Sequence, residues 1–187
     1  MELEKLEGSI IGVIGKRINY DYQDKKVSQI ITNKQADSLR IVKLDDSILD
    51  KKYNELSKRD QNKVDLASKL HDKTIILSNF SEGLLKKDME YFKSIFKKIV
   101  TYDKKIILID KNSELFLNCV DNIYVINNDN ILYETKDIYD INLTKYIDLP
   151  KIVDFNFKCK DLGIRIDHYQ ELDELLKAIY RIKSWDT

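Results

Sequence analysis

The residues best placed to do chemistry are three glycines inside one short apolar run. Of five glycines in 187 residues, three fall in Gly8-Ser-Ile-Ile-Gly-Val-Ile-Gly15. Glycine permits positive φ and close backbone approach, which a loop that cradles phosphate needs. A phosphate loop of the form G-x-x-x-x-G-K-[ST], counted from Gly15, puts its second glycine at Tyr20, its lysine at Asp21 and its hydroxyl at Tyr22. Aspartate repels phosphate, and tyrosine keeps the backbone away from it. The run reads as a strand that would feed such a loop, with the loop itself missing, or simply as a glycine-rich core strand. Other reactive groups are sparse. Cys119 and Cys159 match no metal spacing and are expected reduced and partly buried on helices. His71 and His168 have no histidine or cysteine nearby and read as surface or loop residues, so zinc chemistry is not expected.

Hydrophobic residues make up 43% of the chain and charged residues 34%, enough for a core beneath a densely ionised surface. Lys+Arg and Asp+Glu are 32 each, which argues against nucleic-acid binding driven by excess positive charge. No apolar run approaches the roughly 20 residues of a transmembrane helix. Met1-Glu-Leu-Glu-Lys-Leu-Glu-Gly8 has no apolar leader. These features lead us to expect a soluble cytoplasmic protein with no transmembrane segment of its own.

The elements that would position the glycine run follow from periodicity. Gly8 to Gly15 reads as a buried strand, and Val27 to Ile31 as a second one. Gln35 to Lys52 is polar and weakly helical. Ser57 with Asp60 fits a helix start, and Val64, Ala67 and Leu70 then share one face. Thr74–Leu77 and Ile106–Ile109 read as strands on either side of a helix from about Leu85 to Val100, striped by Met89, Phe92, Phe96 and Ile99. A short helix is expected over Ser113–Cys119. Ile123–Ile126 and Ile131–Tyr133 form a hairpin through Asn127-Asn-Asp-Asn130, where asparagine and aspartate tolerate positive φ. A helix starts after Pro150 and stops at Gly163, striped by Ile152, Phe155, Cys159 and Leu162. The last helix is striped by Leu172, Leu175, Leu176, Ile179 and Ile182, and Trp185 is expected to anchor it. Helix, strand, helix, strand over 57–110 predicts an α/β fold: a parallel sheet flanked by helices, then a hairpin and a helical tail. We divide the chain into 1–141 and a helical extension, 142–187.

The order of these segments resembles the ATP-binding cassette (ABC) ATPases, most closely those of energy-coupling-factor (ECF) vitamin transporters. Residues 7–15 resemble the strand before the Walker A loop of this P-loop fold. Leu44-Asp-Asp-Ser-Ile-Leu-Asp50 with Glu55-Leu-Ser57 resembles the approach to the signature motif, and Val64–Leu70 the helix after it. Thr74–Leu77 sits at the Walker B strand, Ser81-Glu-Gly-Leu84 at the turn beyond, and Lys104–Ile109 at the strand before the switch histidine. Residues 120–134 resemble the family's terminal hairpin. Asp148–Asp154, Leu162-Gly-Ile164 and Leu172-Asp-Glu-Leu-Leu176 resemble the ECF C-terminal extension.

The departures from that pattern are systematic. Asp21 stands at the Walker A lysine and Ser78 at the Walker B aspartate. Asn79 stands at the catalytic glutamate, Leu85 at the D-loop aspartate and Lys111 at the switch histidine. Thr32 falls at the Q-loop glutamine. In the signature LSGGQ, Leu56 and Ser57 remain, but Lys58, Arg59 and Asp60 replace the rest. Gly12, Gly15, Ser57, Lys58 and Arg59 are the residual nucleotide contacts the resemblance implies. Phosphoryl transfer rests on positioning and charge stabilisation, so losing all these groups together leaves no working ATPase. The resemblance thus implies a pseudo-ATPase with no catalytic residues, cofactor or metal. It would pair face to face with an ABC ATPase or with itself, possess a membrane transport subunit as a further partner, and sit at the inner face of the membrane. The alternative is a divergent ATPase using ATP and Mg²⁺, or a small interaction protein reusing the fold, with Lys97-Lys98 and Lys104-Lys105 as basic stretches. Ser57 reads first as a helix cap with Lys58 and Arg59 solvated. The paired arrangement offers a second role, reaching a partner's ATP phosphates.

Overall fold

A computed structural model describes residues 2–16, 18, 20–164, 167–169 and 172–183. Trp185 and the side chain of Ile182 lie outside the described residues.

Five strands form one sheet in the order β2-β3-β1-β4-β5. They are β1 (Ile10–Ile14), β2 (Thr74–Ser78), β3 (Lys105–Ile109), β4 (Asn122–Asn127) and β5 (Asn130–Thr135). The first four are parallel, with β1 between β3 and β4. The alternating middle of the chain therefore builds the expected crossover, with α4 (Lys86–Val100) linking β2 to β3. Strands β4 and β5 close an antiparallel hairpin, and Asn128 and Asp129 take positive φ at its tip.

Alternation along the strands splits the core between the two faces. Ile10, Ile14, Ile75, Leu77, Ile106 and Leu108 pack under Phe80, Phe92 and Phe96 in the larger cluster. Ile11, Val13, Ile107 and Ile109 face Leu3 and Leu6. Both faces of β1 and β3 are thus removed from water, as continuous apolar runs in a parallel sheet require. The larger face is covered by α2 (Gln35–Val42), α3 (Lys58–Lys69) and α4, with Leu39, Val42, Val64, Leu66 and Ala67 buried there. Ser57 caps α3 as its spacing predicts, its hydroxyl accepting from the Asp60 amide at 3.2 Å.

Several elements differ from the sequence reading. Val27–Ile30 is a helical turn, α1, and not a strand. Its amides are spoken for elsewhere: Val27 N–H donates to Lys51 C=O and Ser28 N–H to Leu49 C=O, so the segment pairs with a returning loop and has no strand beside it. The helix expected over Ser113–Cys119 is one 3-10 turn, Ser113–Leu115. Cys119 is buried beyond it, off any helix, while Cys159 is buried on α5 (Lys151–Asp161). The buried face of α5 is Val153, Asn156 and Cys159; Phe155 and Leu162 are exposed. Val153 packs with Leu117 and Tyr139, which turns the helix away from the anticipated stripe. On α6 (Leu172–Lys183) only Leu175 of Leu172, Leu175, Leu176 and Ile179 is fully buried. Lys104 and Lys105 are not a free basic patch. Lys104 Nζ donates to the Leu70 and Asp72 carbonyls, and Lys105 Nζ to those of Glu4 and Leu6.

Candidate functional site

In open α/β sheets, ligands bind beyond the carboxyl ends of the strands. The ends of β1, β2 and β3 bring together Gly15, Ser78, Asn79 and Asp110. The remaining sequence-derived positions are distributed around them.

Gly12 in β1 and Gly15 just after it each face protein where a side chain would stand. A Cβ on Gly12 would come within 3.2 Å of the Phe116 ring, so this glycine makes room for an aromatic side chain in the core. Gly15 has φ +94°, and a Cβ there would run into the Ile126 carbonyl oxygen of β4. Its lack of a side chain lets β1 turn sharply against its neighbour.

Beyond Gly15 the chain crosses the sheet ends towards β2. Ile18 N–H donates to Ser78 Oγ at 3.1 Å. The Tyr20 hydroxyl donates to the Ile76 carbonyl of the edge strand at 2.8 Å. Lys69 of α3 donates to the same carbonyl at 2.8 Å and lies 3.4 Å from the centroid of the Tyr20 ring. Tyr20 stacks on Tyr22, whose ring meets Tyr53 edge-on. Tyr53 in turn donates to both oxygens of buried Asp65, at 2.8 and 2.9 Å. Burial pushes the Asp65 carboxyl up to about 6, opposed by the Tyr53 hydrogen bond and the Lys69 charge. Burial also pulls the Lys69 ammonium down to about 8, against the attraction of Asp65 and Asp72. Asp21 is exposed on this segment.

Asn79 follows β2 in left-handed backbone conformation, with φ 53°. The turn after it is pinned by Asn62 of α3, whose amide donates to the Asn79, Phe80 and Glu82 carbonyls. Asp110, at the end of β3, is fully engaged. It accepts from the Ser81 hydroxyl at 2.7 Å and from the amides of Ser81, Lys111 and Asn112 at 2.8–3.0 Å. Between these two turns lies a cleft of about 750 Å³, lined among others by Asn79, Glu82, Lys111, Asp148 and Lys151. Lys111 is exposed at its edge. Asp110 and Asn62 were not singled out from sequence. An isolated aspartate after an apolar strand signals only the strand's end, and Asn62 lies on the polar side of its helix pattern.

Among the described residues Ser57 bonds only within its own helix start, while Lys58 and Arg59 pack against the turn after β2. A Cβ on Gly83 (φ +78°) would lie 3.0 Å from the Arg59 amide nitrogen, so the two segments touch through backbone. Arg59 pairs with Asp88 at 2.7 Å and Lys58 with Glu82 at 3.8 Å. Asp88 also accepts from the Leu85 amide, which makes exposed Leu85 the start of α4. The arrangement ties the N-termini of α3 and α4 together. Exposed Thr32 takes no part in the cleft. Among the described residues no cluster of three or more His, Cys, Asp or Glu side chains could hold a metal ion, and no helix is long and apolar enough to cross a membrane.

The sequence matches no protein-family model and no curated protein. Solved structures do match. CbiO1 from Clostridium perfringens, described as part of the ABC transporter complex cbiONQ, superposes with a TM-score of 0.51 at 16% identity, over 82% of this chain and 65% of that one. The ATP-binding cassette MJ1267 of an ABC transporter gives 0.52 at 15% identity, over 83% and 68%. A nucleotide-free cassette from an ABC transporter gives 0.51 at 16% identity, over 78% and 67%. The chain spans 45% and 63% of the length of two further cassettes. At these identities the likeness is one of fold. The resemblance first visible in the order of apolar segments is thus carried by the three-dimensional structure: the chain has the α/β fold of ABC transporter ATP-binding cassettes, over part of their length.

Proposed function

We propose that this chain is a non-catalytic cassette that serves an ABC transporter as a structural or regulatory subunit, pairing with an ABC ATPase or with a second copy of itself. One observation carries the reading. Among the described residues after Gly15, the Ile18 N–H is taken by Ser78 and the Tyr20 hydroxyl by the Ile76 carbonyl of the chain's own sheet. A phosphate loop must keep its amides free for the ligand. Asp21, Ser78, Asn79 and Lys111 stand where the family carries lysine, aspartate, glutamate and histidine, so Asp21 brings no positive charge to a phosphate, and neither Ser78 nor Asn79 supplies the metal carboxylate or the general base. CbiO1 belongs to a complex with other subunits. By analogy this chain would sit at the inner face of a membrane through a transport subunit, with 142–187 as an extension of the cassette.

Titration with ATP and Mg²⁺ tests the proposal. A ligand held at about 100 times its Kd stabilises a fold by about 2.7 kcal/mol, which a thermal melt detects. The expected outcome is no shift in Tm and no heat of binding. Saturable micromolar binding would favour a divergent ATPase instead. A second arm measures the ATPase rate of a co-purified cassette with and without this chain. The Lys58→Glu/Arg59→Glu double change should leave that rate unaltered, because both side chains are engaged within the chain.

A further inference from the structure

Strand β2 lies at the edge of the sheet. Lys105 N–H donates to the Lys73 carbonyl and Asn79 N–H to the Ile109 carbonyl, so alternate residues from 73 to 79 face β3. Thr74, Ile76 and Ser78 therefore turn their backbone groups outward, where a bare edge would be a template for a further strand. No described strand covers it. The stretch carrying Ile18, Tyr20 and Tyr22 does. Its ends are fixed through backbone: Gly15 lies against Ile126, and the Gln23 and Lys25 carbonyls accept from the Asn54 and Tyr53 amides. Between those ends the described residues make two hydrogen bonds to β2, Ile18 N–H to Ser78 Oγ and the Tyr20 hydroxyl to the Ile76 carbonyl. Ring contacts supply the rest, Tyr20 with Lys69 and Tyr22 with Tyr53. The stretch is a strap, held firmly at both ends and lightly along its length.

Asp65 is buried beside this strap. Among the described residues its carboxylate accepts from one neutral donor, the Tyr53 hydroxyl, and no cation stands within ion-pairing distance of it. A buried carboxylate so thinly supported is costly when ionised, and water would relieve the cost. The groups that face it come from three segments. They are Tyr20 and Tyr22 of the strap, Tyr53 of the turn that holds the strap's far end, and Lys69 and Lys58 of α3. Lys69 also faces Asp72. The two lysine charges do not offset the burial, since the Asp65 carboxyl still stands at about 6. Tyr20 stacks on Tyr22, and Tyr22 meets Tyr53 edge-on, so lifting the strap removes two of the three rings around the carboxylate.

We propose that the stretch carrying Ile18, Tyr20 and Tyr22 is a pH-sensitive strap, closed on the β2 edge while Asp65 is protonated and driven open by ionisation of Asp65, which bares the outward backbone of Ile76. Opening returns the carboxyl to water, where it titrates near 3.8. The ratio of open to closed strap should therefore rise about fifty-fold between pH 4 and pH 7 and level off by about pH 7. The device does not depend on whether the chain binds a nucleotide or a partner.

The test is amide hydrogen exchange of the full chain, followed by NMR and scaled to the intrinsic rate at each pH. The Ile18 amide, bonded to Ser78, reports the strap. The Ile106 and Asp110 amides, bonded to Ser9 and Val13, report the whole sheet. Ile18 should be protected at least about ten-fold less than those two, because a local opening costs less than global unfolding. Its protection should be insensitive to urea below the unfolding transition and should fall about fifty-fold from pH 4 to pH 7. Asp65→Asn should flatten that fall. Tyr53→Phe, which takes away the carboxylate's one hydrogen bond, should carry the profile to higher pH and keeps the test available if the asparagine variant does not fold. Tyr20→Phe frees the Ile76 carbonyl and should lower Ile18 protection about three- to ten-fold at both pH values. Three results overturn the proposal. The first is Ile18 sharing the protection and urea dependence of Ile106 and Asp110, which would mean that the strap opens only with the whole fold. The second is Ile18 protection that does not change with pH. The third is a pH dependence that survives Asp65→Asn or is unmoved by Tyr53→Phe.

Discussion

Replacing Asp65 with asparagine should remove an acid-range fall in stability that the wild-type chain carries. Asp65 is 4% exposed and its carboxyl, ordinarily near 3.8, is pushed up to about 6 by burial. Between these values the folded chain holds a proton that the unfolded chain has released. Stability from this group is therefore fully present below about pH 4 and is lost as pH rises through about 6. One pH unit of one-proton difference is worth about 1.4 kcal/mol, so the whole fall is about 3 kcal/mol. Asparagine keeps an oxygen that accepts from the Tyr53 hydroxyl but has nothing to ionise. Urea unfolding followed by circular dichroism at pH 4 and pH 7 gives the stability difference, variant minus wild type. That difference should grow by about 2–3 kcal/mol in the variant's favour between the two pH values. A difference flat to within about 0.5 kcal/mol would refute the reasoning, because it would mean that the carboxylate ionises in the folded state at no cost. Lys69 gives the opposite arm. Its ammonium is pulled from 10.5 to about 8, so its folded state has lost a proton that the unfolded chain keeps, and stability rises with pH between those values. Lys69→Met should abolish that rise. Asp65→Asn should extend it to lower pH, since the Asp65 charge, with that of Asp72, holds the Lys69 value up.

Other substitutions probe the site's framework. Gly15→Ala should destabilise the fold by about 1–3 kcal/mol in urea titrations, through a strained φ and a clash with the Ile126 carbonyl. Gly12→Val should cost about 1–3 kcal/mol by overpacking Phe116, and Gly12→Val/Phe116→Leu should recover part of it. Asn62→Ala leaves three carbonyls of the turn after β2 without its amide and should cost about 1–3 kcal/mol, with faster hydrogen exchange over residues 79–84. A double-mutant cycle on Arg59 and Asp88 should give a coupling of no more than about 1 kcal/mol, because Arg59 is partly exposed to screening solvent.

Much of the scaffold is written in local periodicity. Phe92 and Phe96 on a lysine-rich helix, and the all-apolar runs of β1 and β3, could only be buried elements, and their order implied parallel pairing. The Ser57 cap is equally local, since it needs only the Asp60 amide three residues on. The misread segments are those whose partner lies far along the chain. Val27–Ile31 has a strand's composition, yet its amides go to Lys51 and Leu49 and wind it into a turn. The α5 stripe holds for Cys159 and Ile152 but not for Phe155 and Leu162, because Leu117 and Tyr139 decide which side of that helix is covered.

The candidate site divides along the same line. Sequence alone determined the side chains at Asp21, Ser78, Asn79 and Lys111, and with them the expectation, carried by the resemblance, that ABC ATPases have other groups at those positions; side-chain identity needs no coordinates. Only the tertiary structure decided where the residues after Gly15 go: Tyr20 donates to the Ile76 carbonyl and the Ile18 amide to Ser78. It also decided that Asp65 is held by the Tyr53 hydroxyl and that Lys69 lies over the Tyr20 ring. The physical reason is that burial and hydrogen bonding between distant segments are properties of the packed chain. Each depends on which surfaces close over which groups, and no window of neighbouring residues contains that information.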